Sequence, residues 1–313
     1  TSSNSQRLLW LDMANVLAMV GVVLFHIPSN VELSFREDEF VAVNECFFLM
    51  SGVSLGLILQ KVNNFVELFT FLNKRIVRLG VPTVVFFVLF YFLWLIAGRE
   101  LAGDKEAWYV PLEELVTGKL HTVIAPYWFV ICLLTMNIIF SVAHGLLPDK
   151  RVMFLVLGCV PALNLLPLPD VFELHYALKF FPYMVLGSLF FISEKGRANL
   201  CLSFVAGCAC CYILYKVVNA DEELFGWSNA YGLVYTLVIL VLSKILEKLT
   251  CSRILSLLRS GALVLLATQN YIIGFARIVL DRLTHQDDFL VNHIVFKPLV
   301  LLAVYAITLP LIW

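Results

Sequence analysis

Long apolar runs follow one another along the whole chain, and short polar segments separate them. A helix needs about 20 mostly apolar residues to cross a bilayer, and ten runs approach that length. The ten candidate spans are residues 8–27, 40–60, 77–97, 127–146, 152–168, 176–193, 200–218, 229–246, 261–281 and 294–313. The fifth and sixth are short and are broken by prolines. The pattern predicts an all-α polytopic membrane protein, a single bundle of about ten transmembrane helices that forms one domain over residues 1–313.

The composition supports the same class. Of the 313 residues, 61% are hydrophobic and 14% are charged, whereas a soluble domain has roughly 45–50% apolar and about 25% charged residues. The net charge of −1 provides no basic surface for a polyanion. These values exclude a soluble enzyme, a nucleic-acid-binding protein and a disordered chain, and they make membrane lipids the expected surroundings.

The distribution of Lys and Arg predicts the orientation. With the N-terminus inside, most basic residues fall in cytoplasmic segments, whereas acidic clusters such as Asp287 with Asp288 fall outside. Because cytoplasmic loops are enriched in Lys and Arg, both termini are expected in the cytoplasm. Segment 61–76 alternates apolar and polar residues at helical spacing, which indicates an amphipathic helix on the inner surface. The longest outer loop, 98–126, is a candidate lid or interfacial element.

Polar residues within the spans mark candidate sites, because ionisable groups are costly in lipid. Asp12, Asn15 and His26 share one face of the first span. Glu45 lies about five residues into the second span, at the depth expected for His26. A carboxylate beside an imidazole is a usual general-base arrangement. Two alternatives remain: His26 is solvated by lipid headgroups, or Glu45 pairs with Arg277.

Two further groups carry candidate chemistry. Asn270, Gly274, Arg277 and Asp281 form a second polar stripe, on the ninth span. Lys74, Arg75 and Arg78 precede or begin the third span, and arginines three residues apart suit a phosphate group. The alternative for these cations is a topology anchor. Residues 208–211 match a CxxC spacing, but small-residue helix packing is the favoured interpretation, and no metal site is expected.

Three motifs in this order resemble membrane acyltransferase family 3, the multi-span O-acyltransferases of bacterial surface polysaccharides. They are the segment 10–26 that ends in His26, the Phe47-Phe48-Leu-Met-Ser51-Gly52 segment, and Lys74-Arg75-Ile-Val-Arg78. Tyr127-Trp128-Phe129 and the Phe-Pro-Tyr segment at 181–183 are similar to later family segments. One departure is clear: the family has a basic residue where this chain has Asn15.

The resemblance implies a membrane-bound O-acyltransferase of the bacterial inner membrane. It implies transfer of an acyl group, expected to be acetyl, from cytoplasmic acyl-CoA to a hydroxyl of a cell-surface or lipid-linked glycan. Acyl-CoA is then a co-substrate, and no tightly bound cofactor is expected. An alternative is a transporter or carrier that uses Asp12, His26, Glu45 and Arg277, and another is a catalytically silent member that lost its cation at Asn15.

The expected site residues follow from both arguments. His26 and Glu45 are the expected catalytic residues. Lys74, Arg75, Arg78 and Asn15 are expected to bind acyl-CoA, and Asn15 is expected to hydrogen-bond a neutral part of the donor or a neighbouring helix. Tyr127, Trp128, Asn270 and Arg277 are expected to bind the acceptor.

Overall fold

The computed structural model describes residues 9–28, 43–59, 62, 64–98, 106–191, 194–218, 227–247 and 252–312. Helices make up nearly all of these residues, and the described part contains no strand. The helices are α1 (Leu9–His26), α2 (Val43–Leu59), α3 (Phe65–Leu93), α4 (Val110–Thr117), α5 (Trp128–Leu146), α6 (Lys150–Cys159), α7 (Leu174–Ser188), α8 (Glu194–Val218), α9 (Trp227–Leu246), α10 (Ser252–Ser260), α11 (Ala262–Thr284), α12 (Phe289–Asn292) and α13 (Lys297–Ile312). The all-α prediction is confirmed.

Five described helical segments are long and apolar enough to cross a membrane. They are Leu9–His26, Phe65–Ile96, Ala125–Leu146, Gly196–Val218 and Ala262–Thr284. Shorter apolar helices cover Asn44–Leu59, Gly232–Leu246 and Lys297–Pro310. The predicted fifth span continues from α6 into a 3-10 helix at Val160–Leu165, and the sixth corresponds to α7. The count of ten spans and the cytoplasmic position of the termini stay predictions.

The predicted surface helix over 61–76 is not a separate element. Asn64 caps α3, because its side-chain oxygen accepts a hydrogen bond from the Glu67 N–H at 2.8 Å, and the helix then runs without a break to Leu93. A π-helical turn, Trp94–Gly98, follows. At 1.5 Å per residue the 29 residues of α3 measure about 44 Å, more than the roughly 30 Å of a hydrocarbon core. One end of α3 therefore has to extend beyond the lipid.

The described outer-loop residues are partly helical. Of segment 98–126, residues 99–105 lie outside the described part, and α4 occupies Val110–Thr117. Gly118 ends α4 in the left-handed conformation, with φ of 73°. Tyr91 of α3 donates a hydrogen bond to the Trp108 carbonyl at 2.9 Å, which holds this segment against α3.

The chain divides into two compact units. The first unit is Thr1–Phe47 with Trp227–Trp313, and the second is Phe48–Gly226. Within the first unit, α1 packs against α9, α10, α11 and α13, and α11 packs along α13. Within the second unit, α8 packs along α6, and α5 lies between α3 and α7.

Glycines allow two close helix crossings in the second unit. A Cβ at Gly52 of α2 would lie 1.9 Å from the Met184 carbonyl oxygen of α7, and a Cβ at Gly187 would lie 1.9 Å from that of Leu49. Gly158 of α6 meets Gly207 of α8 in the same way. Small residues let helix backbones approach within membranes. The glycine that ends the Phe47–Gly52 motif is thus a packing residue.

Candidate functional site

His26 is the last residue of α1, and a backbone carbonyl orients its ring. Its Nδ1 lies 2.8 Å from the Val22 carbonyl oxygen, one helical turn earlier. A carbonyl can only accept, so Nδ1 carries the proton, and in the neutral ring Nε2 keeps a free lone pair. The ring is half-buried and meets Phe25 edge-on. This tautomer can accept a proton at Nε2.

Glu45 is buried in the first turn of α2, at 2% exposure. Its carboxylate packs against Gly232 of α9, where a Cβ would lie 2.6 Å from Oε1. Within the described part, the contacts of His26 are the Val22 carbonyl and the Phe25 ring. The pairing of His26 with Glu45 is not among these contacts and stays a prediction.

The ninth-span stripe does not form an interior polar face over its whole length. Arg277 is exposed and donates to Asp288, just before α12. Asp281 accepts a hydrogen bond from the Phe289 N–H at 2.8 Å. These contacts connect α11 to the turn that follows it. Sequence analysis offered Glu45 as a possible partner of Arg277, and the carboxylate that Arg277 contacts in the structure is that of Asp288. Asn270 is half-buried in α11.

Asn15 lines a narrow pocket in the first unit. Its Nδ2 donates a hydrogen bond to the Leu11 carbonyl at 2.8 Å. The amide therefore bonds to its own helix, whereas one expectation was a hydrogen bond to a neighbouring helix. The rest of the pocket wall is mostly apolar and consists of Val16, Met19, Leu258, Ala262 and Tyr305. The Tyr305 hydroxyl is buried and has no hydrogen-bond partner among the described residues. The pocket thus pairs a short apolar space with two polar groups.

The three cations of α3 differ in exposure. Lys74 and Arg78 are exposed, whereas Arg75 is half-buried and its Nη2 donates to the Ser51 hydroxyl at 3.4 Å. This bond connects two of the motifs within the second unit. Pro82 lacks an N–H and so cannot bond the Arg78 carbonyl one turn earlier. The structure therefore presents two exposed cations beside a third that α2 positions.

Tyr127 and Trp128 occupy different environments at the start of α5. Tyr127 is fully buried, and its ring lies 6.2 Å from that of Phe86. Trp128 is half-buried, and its ring lies 5.1 Å from that of Tyr176, which is 45% exposed. Of the two, Trp128 is the one that a substrate could reach.

The sequence interpretation missed a charged cluster in the second unit, called here the His121 cluster: Lys119, His121, Asp170 and Glu173. The His121 Nε2 lies 3.0 Å from the Glu173 Oε1, and the Lys119 Nζ lies 2.5 Å from the Asp170 Oδ2. The residues come from two loops about 50 positions apart in the chain, both assigned to the outside by the predicted topology. The one signal for this cluster in the sequence was that the predicted topology placed both loops on the same side of the membrane.

Burial shapes the electrostatics of this cluster. Glu173 is 1% exposed, and burial raises the pKa of its carboxyl, although His121 opposes the shift. The hydrogen bond to Asp170 raises the pKa of Lys119. Phe172 and Glu173 both have φ of 53°, a left-handed conformation that is rare for non-glycine residues and is enriched at functional sites.

These features define an integral-membrane helical protein that carries a base-competent histidine, a set of exposed cations and a buried carboxylate beside a second histidine. The family model for acyltransferase family 3, described as an acyltransferase domain, matches residues 8–313. The chain belongs to this family, as its motifs indicated, and is an acyltransferase. No curated protein and no solved structure matches it.

Proposed function

We propose that the protein is a membrane-bound O-acyltransferase that moves an acetyl group from cytoplasmic acetyl-CoA to a glycan hydroxyl outside the inner membrane. The observation that carries the proposal is the His26 tautomer. With Nδ1–H bound to the Val22 carbonyl, Nε2 is the nitrogen that can accept a proton. The family membership adds the acyl-transfer class.

The cations of α3 support an acyl-CoA donor. Coenzyme A carries several phosphates, and Lys74 and Arg78 are exposed on the part of α3 that precedes or begins the predicted third span. Arg75, oriented by Ser51, adds a planar donor group that suits a phosphate. In the predicted topology this end of α3 faces the cytoplasm, where acyl-CoA is made.

The proposed reaction is a single acyl transfer. The acceptor hydroxyl oxygen attacks the thioester carbonyl carbon, and its proton passes to Nε2 of His26. The carbon–sulfur bond then breaks, and the coenzyme A thiolate takes up the proton from the imidazolium. The products are an ester and free coenzyme A, and His26 returns to its initial tautomer.

The pocket beside Asn15 favours a short acyl group. Its wall is mostly apolar and closes around a narrow space, so it suits a methyl group better than a long or charged chain. Asn15 precedes His26 by 11 residues on α1, about 16 Å along the helix axis, so the pocket is proposed to select the acyl group of the donor and not to hold its carbonyl during transfer at His26. Acetyl is therefore the proposed group.

The proposal is tested with purified protein in nanodiscs, which expose both faces. Radiolabelled acetyl-CoA is added together with the envelope polysaccharide fraction of the source cell. We expect a base-labile label on the polysaccharide from the wild type and none from His26→Ala. Absence of labelled ester with the wild type would contradict the proposal. If the protein is instead reconstituted into vesicles, substrate uptake without ester formation would favour a transporter.

A further inference from the structure

The His121 cluster, within the second unit, is a built site, and its four residues are not among those assigned to acyl transfer above. The Glu114 carboxylate holds the loop that carries His121, because its Oε2 accepts from the Thr122 N–H at 2.9 Å and from the His121 N–H at 3.2 Å. Its Oε1 accepts from the Thr122 hydroxyl at 2.8 Å. The backbone at His121 is thus fixed independently of the imidazole.

The loop that carries Glu173 is fixed as well. The Phe172 N–H donates to the Thr117 carbonyl at 2.7 Å, and the Phe172 carbonyl accepts from the Thr135 hydroxyl of α5 at 2.8 Å. A Cβ at Gly118 would lie 2.5 Å from the Phe172 ring. These contacts maintain the left-handed backbone at Phe172 and Glu173, and that backbone places the Glu173 carboxylate beside His121.

The imidazole of His121 is half-exposed, and one of its two nitrogens contacts Glu173. Its side chain is 50% exposed, and Nε2 faces the buried Glu173 carboxylate. When Glu173 is ionised, the carboxylate favours the proton on Nε2, and Nδ1 is then an acceptor for an incoming hydroxyl. Lys119 and Asp170, both about one-third exposed, add a donor and an acceptor in the same cluster.

An aromatic surface accompanies these polar groups. Glu173 is the N-cap of α7, where its carbonyl accepts from the Ala177 N–H at 2.8 Å, and Tyr176 lies in the first turn of the same helix. Tyr176 packs on Trp128, the first residue of α5. An exposed aromatic ring beside hydroxyl-binding polar groups matches a sugar, which has both apolar C–H faces and hydroxyl edges.

We propose that His121, held by Glu173, and the Trp128–Tyr176 pair form the subsite that binds the sugar ring of the acceptor. This assignment rests on the proposed function, because it takes the acceptor to be a glycan. His121 and Lys119 bind hydroxyl groups, and the aromatic pair covers one face of the ring. The subsite sets acceptor affinity, whereas His26 accepts the proton.

The test is steady-state kinetics in nanodiscs, with the envelope polysaccharide fraction and acetyl-CoA varied in turn. His121→Ala is expected to raise the KM for polysaccharide about tenfold, the effect of one lost hydrogen bond to a ligand. The KM for acetyl-CoA should stay within about twofold of wild type. His121→Gln should recover part of the loss because an amide can still bind a hydroxyl. Trp128→Ala should raise the same KM, and Trp128→Phe should raise it less.

A matched control is His293→Gln, which changes an exposed histidine of the first unit and should leave both KM values unchanged. Unchanged polysaccharide KM in both His121→Ala and Trp128→Ala would overturn the subsite while acyl transfer stands. An equal rise of both KM values would also overturn it, because the cluster would then be structural. A wild type that transfers nothing to polysaccharide would overturn the proposed function, and the subsite with it.

Discussion

The Nη2 of Arg75 donates a hydrogen bond to the Ser51 hydroxyl across 3.4 Å and so joins α3 to α2 within the second unit. Ser51 ends the Phe-Phe-x-x-Ser motif, and Arg75 begins the Arg-x-x-Arg motif. The two motifs are therefore parts of one arrangement. Ser51 holds a cation in place, and Gly52 beside it allows α7 to approach α2.

Loss of the Ser51 hydroxyl should weaken donor binding moderately. In Ser51→Ala the guanidinium of Arg75 loses a long hydrogen bond, so we expect the KM for acetyl-CoA to rise about two- to fivefold. Arg78→Ala removes an exposed cation and should raise it about tenfold. The control is Ser54→Ala, the other serine of α2. An unchanged KM in Ser51→Ala would show that Arg75 does not depend on Ser51 for its position.

The α2–α7 crossing should not tolerate a single added methyl group. Gly52→Ala and Gly187→Ala each place a Cβ 1.9 Å from a backbone oxygen, so helices must move apart, at a cost of about 1–3 kcal/mol or more. Thermal unfolding in detergent measures this loss. Gly80→Ala is the control, because nothing lies within 4 Å of its Cβ, and better helix propensity should stabilise α3 by up to about 1 kcal/mol. Equal unfolding temperatures for all three variants would contradict the close crossing.

Apolar run length predicted the helical class and most of the helices, because lipid requires long apolar segments whose backbone groups are bonded internally. It misplaced the start of α3. Segment 61–76 was predicted to be an amphipathic surface helix, yet nothing at its junction with the span breaks a helix, so Asn64 caps one continuous element. Residue spacing describes one helix at a time and does not detect such continuity.

The candidate site was predictable only where a single helix determines it. His26 and Arg75 stand at positions that a helical wheel and a motif identify. The pairing of Glu173 with His121 requires two loops to meet, and sequence spacing carries no information about that contact. The expected His26–Glu45 pair stays a prediction for a related reason: equal depth in two spans does not imply contact, and the structure gives the Val22 carbonyl as the partner of the His26 Nδ1.

The buried carboxyl of Glu173 should make stability depend on pH. Its pKa is raised in the folded state by burial, so folding favours the protonated form. The stabilising contribution is complete below its ordinary pKa of about 4.3 and is lost as the pH rises through the raised folded pKa. The titratable groups that face the Glu173 carboxyl are His121, Lys119 and Asp170. All variants compared retain these three residues.

The measurement is the unfolding temperature of Glu173→Gln minus that of the wild type, from acid to neutral pH. We expect this difference to increase with pH, because glutamine carries no charge to bury. Glu113→Gln is the control, since Glu113 is exposed on α4, and its difference should be flat. A difference that falls as the pH rises would mean that the ion pair with His121 outweighs burial.

Removal of the Tyr305 hydroxyl should leave the protein as stable or more stable. The hydroxyl is buried without a hydrogen-bond partner among the described residues, and such a group costs about 1 kcal/mol or more. Tyr305→Phe keeps the ring and removes that cost. The matched control is Tyr91→Phe, which loses a 2.9 Å bond to the Trp108 carbonyl and should be destabilised by about 1 kcal/mol. A destabilised Tyr305→Phe would show that the hydroxyl has a partner.

The backbone bond of His26 separates its structural role from its chemical role. In His26→Asn the side-chain amide can still donate to the Val22 carbonyl, so α1 should end as it does in the wild type, but the variant has no base. Acyl transfer should fall about 10²–10⁴-fold, the usual contribution of a general base, and His26→Ala should fall equally. The unfolding temperature of the Asn variant should stay close to that of the wild type.

His293 provides the matched control, because its Nδ1 lies 2.9 Å from the Phe289 carbonyl, the same bond to the residue four positions earlier, on an exposed turn. His293→Asn should leave transfer unchanged. Nitrogen-15 spectra of histidine-labelled protein should show Nδ1 protonated and Nε2 unprotonated for the neutral His26 ring, assigned by its loss in His26→Asn. The opposite tautomer would remove the acceptor at Nε2, and near-wild-type transfer by His26→Asn would mean that another residue takes the hydroxyl proton.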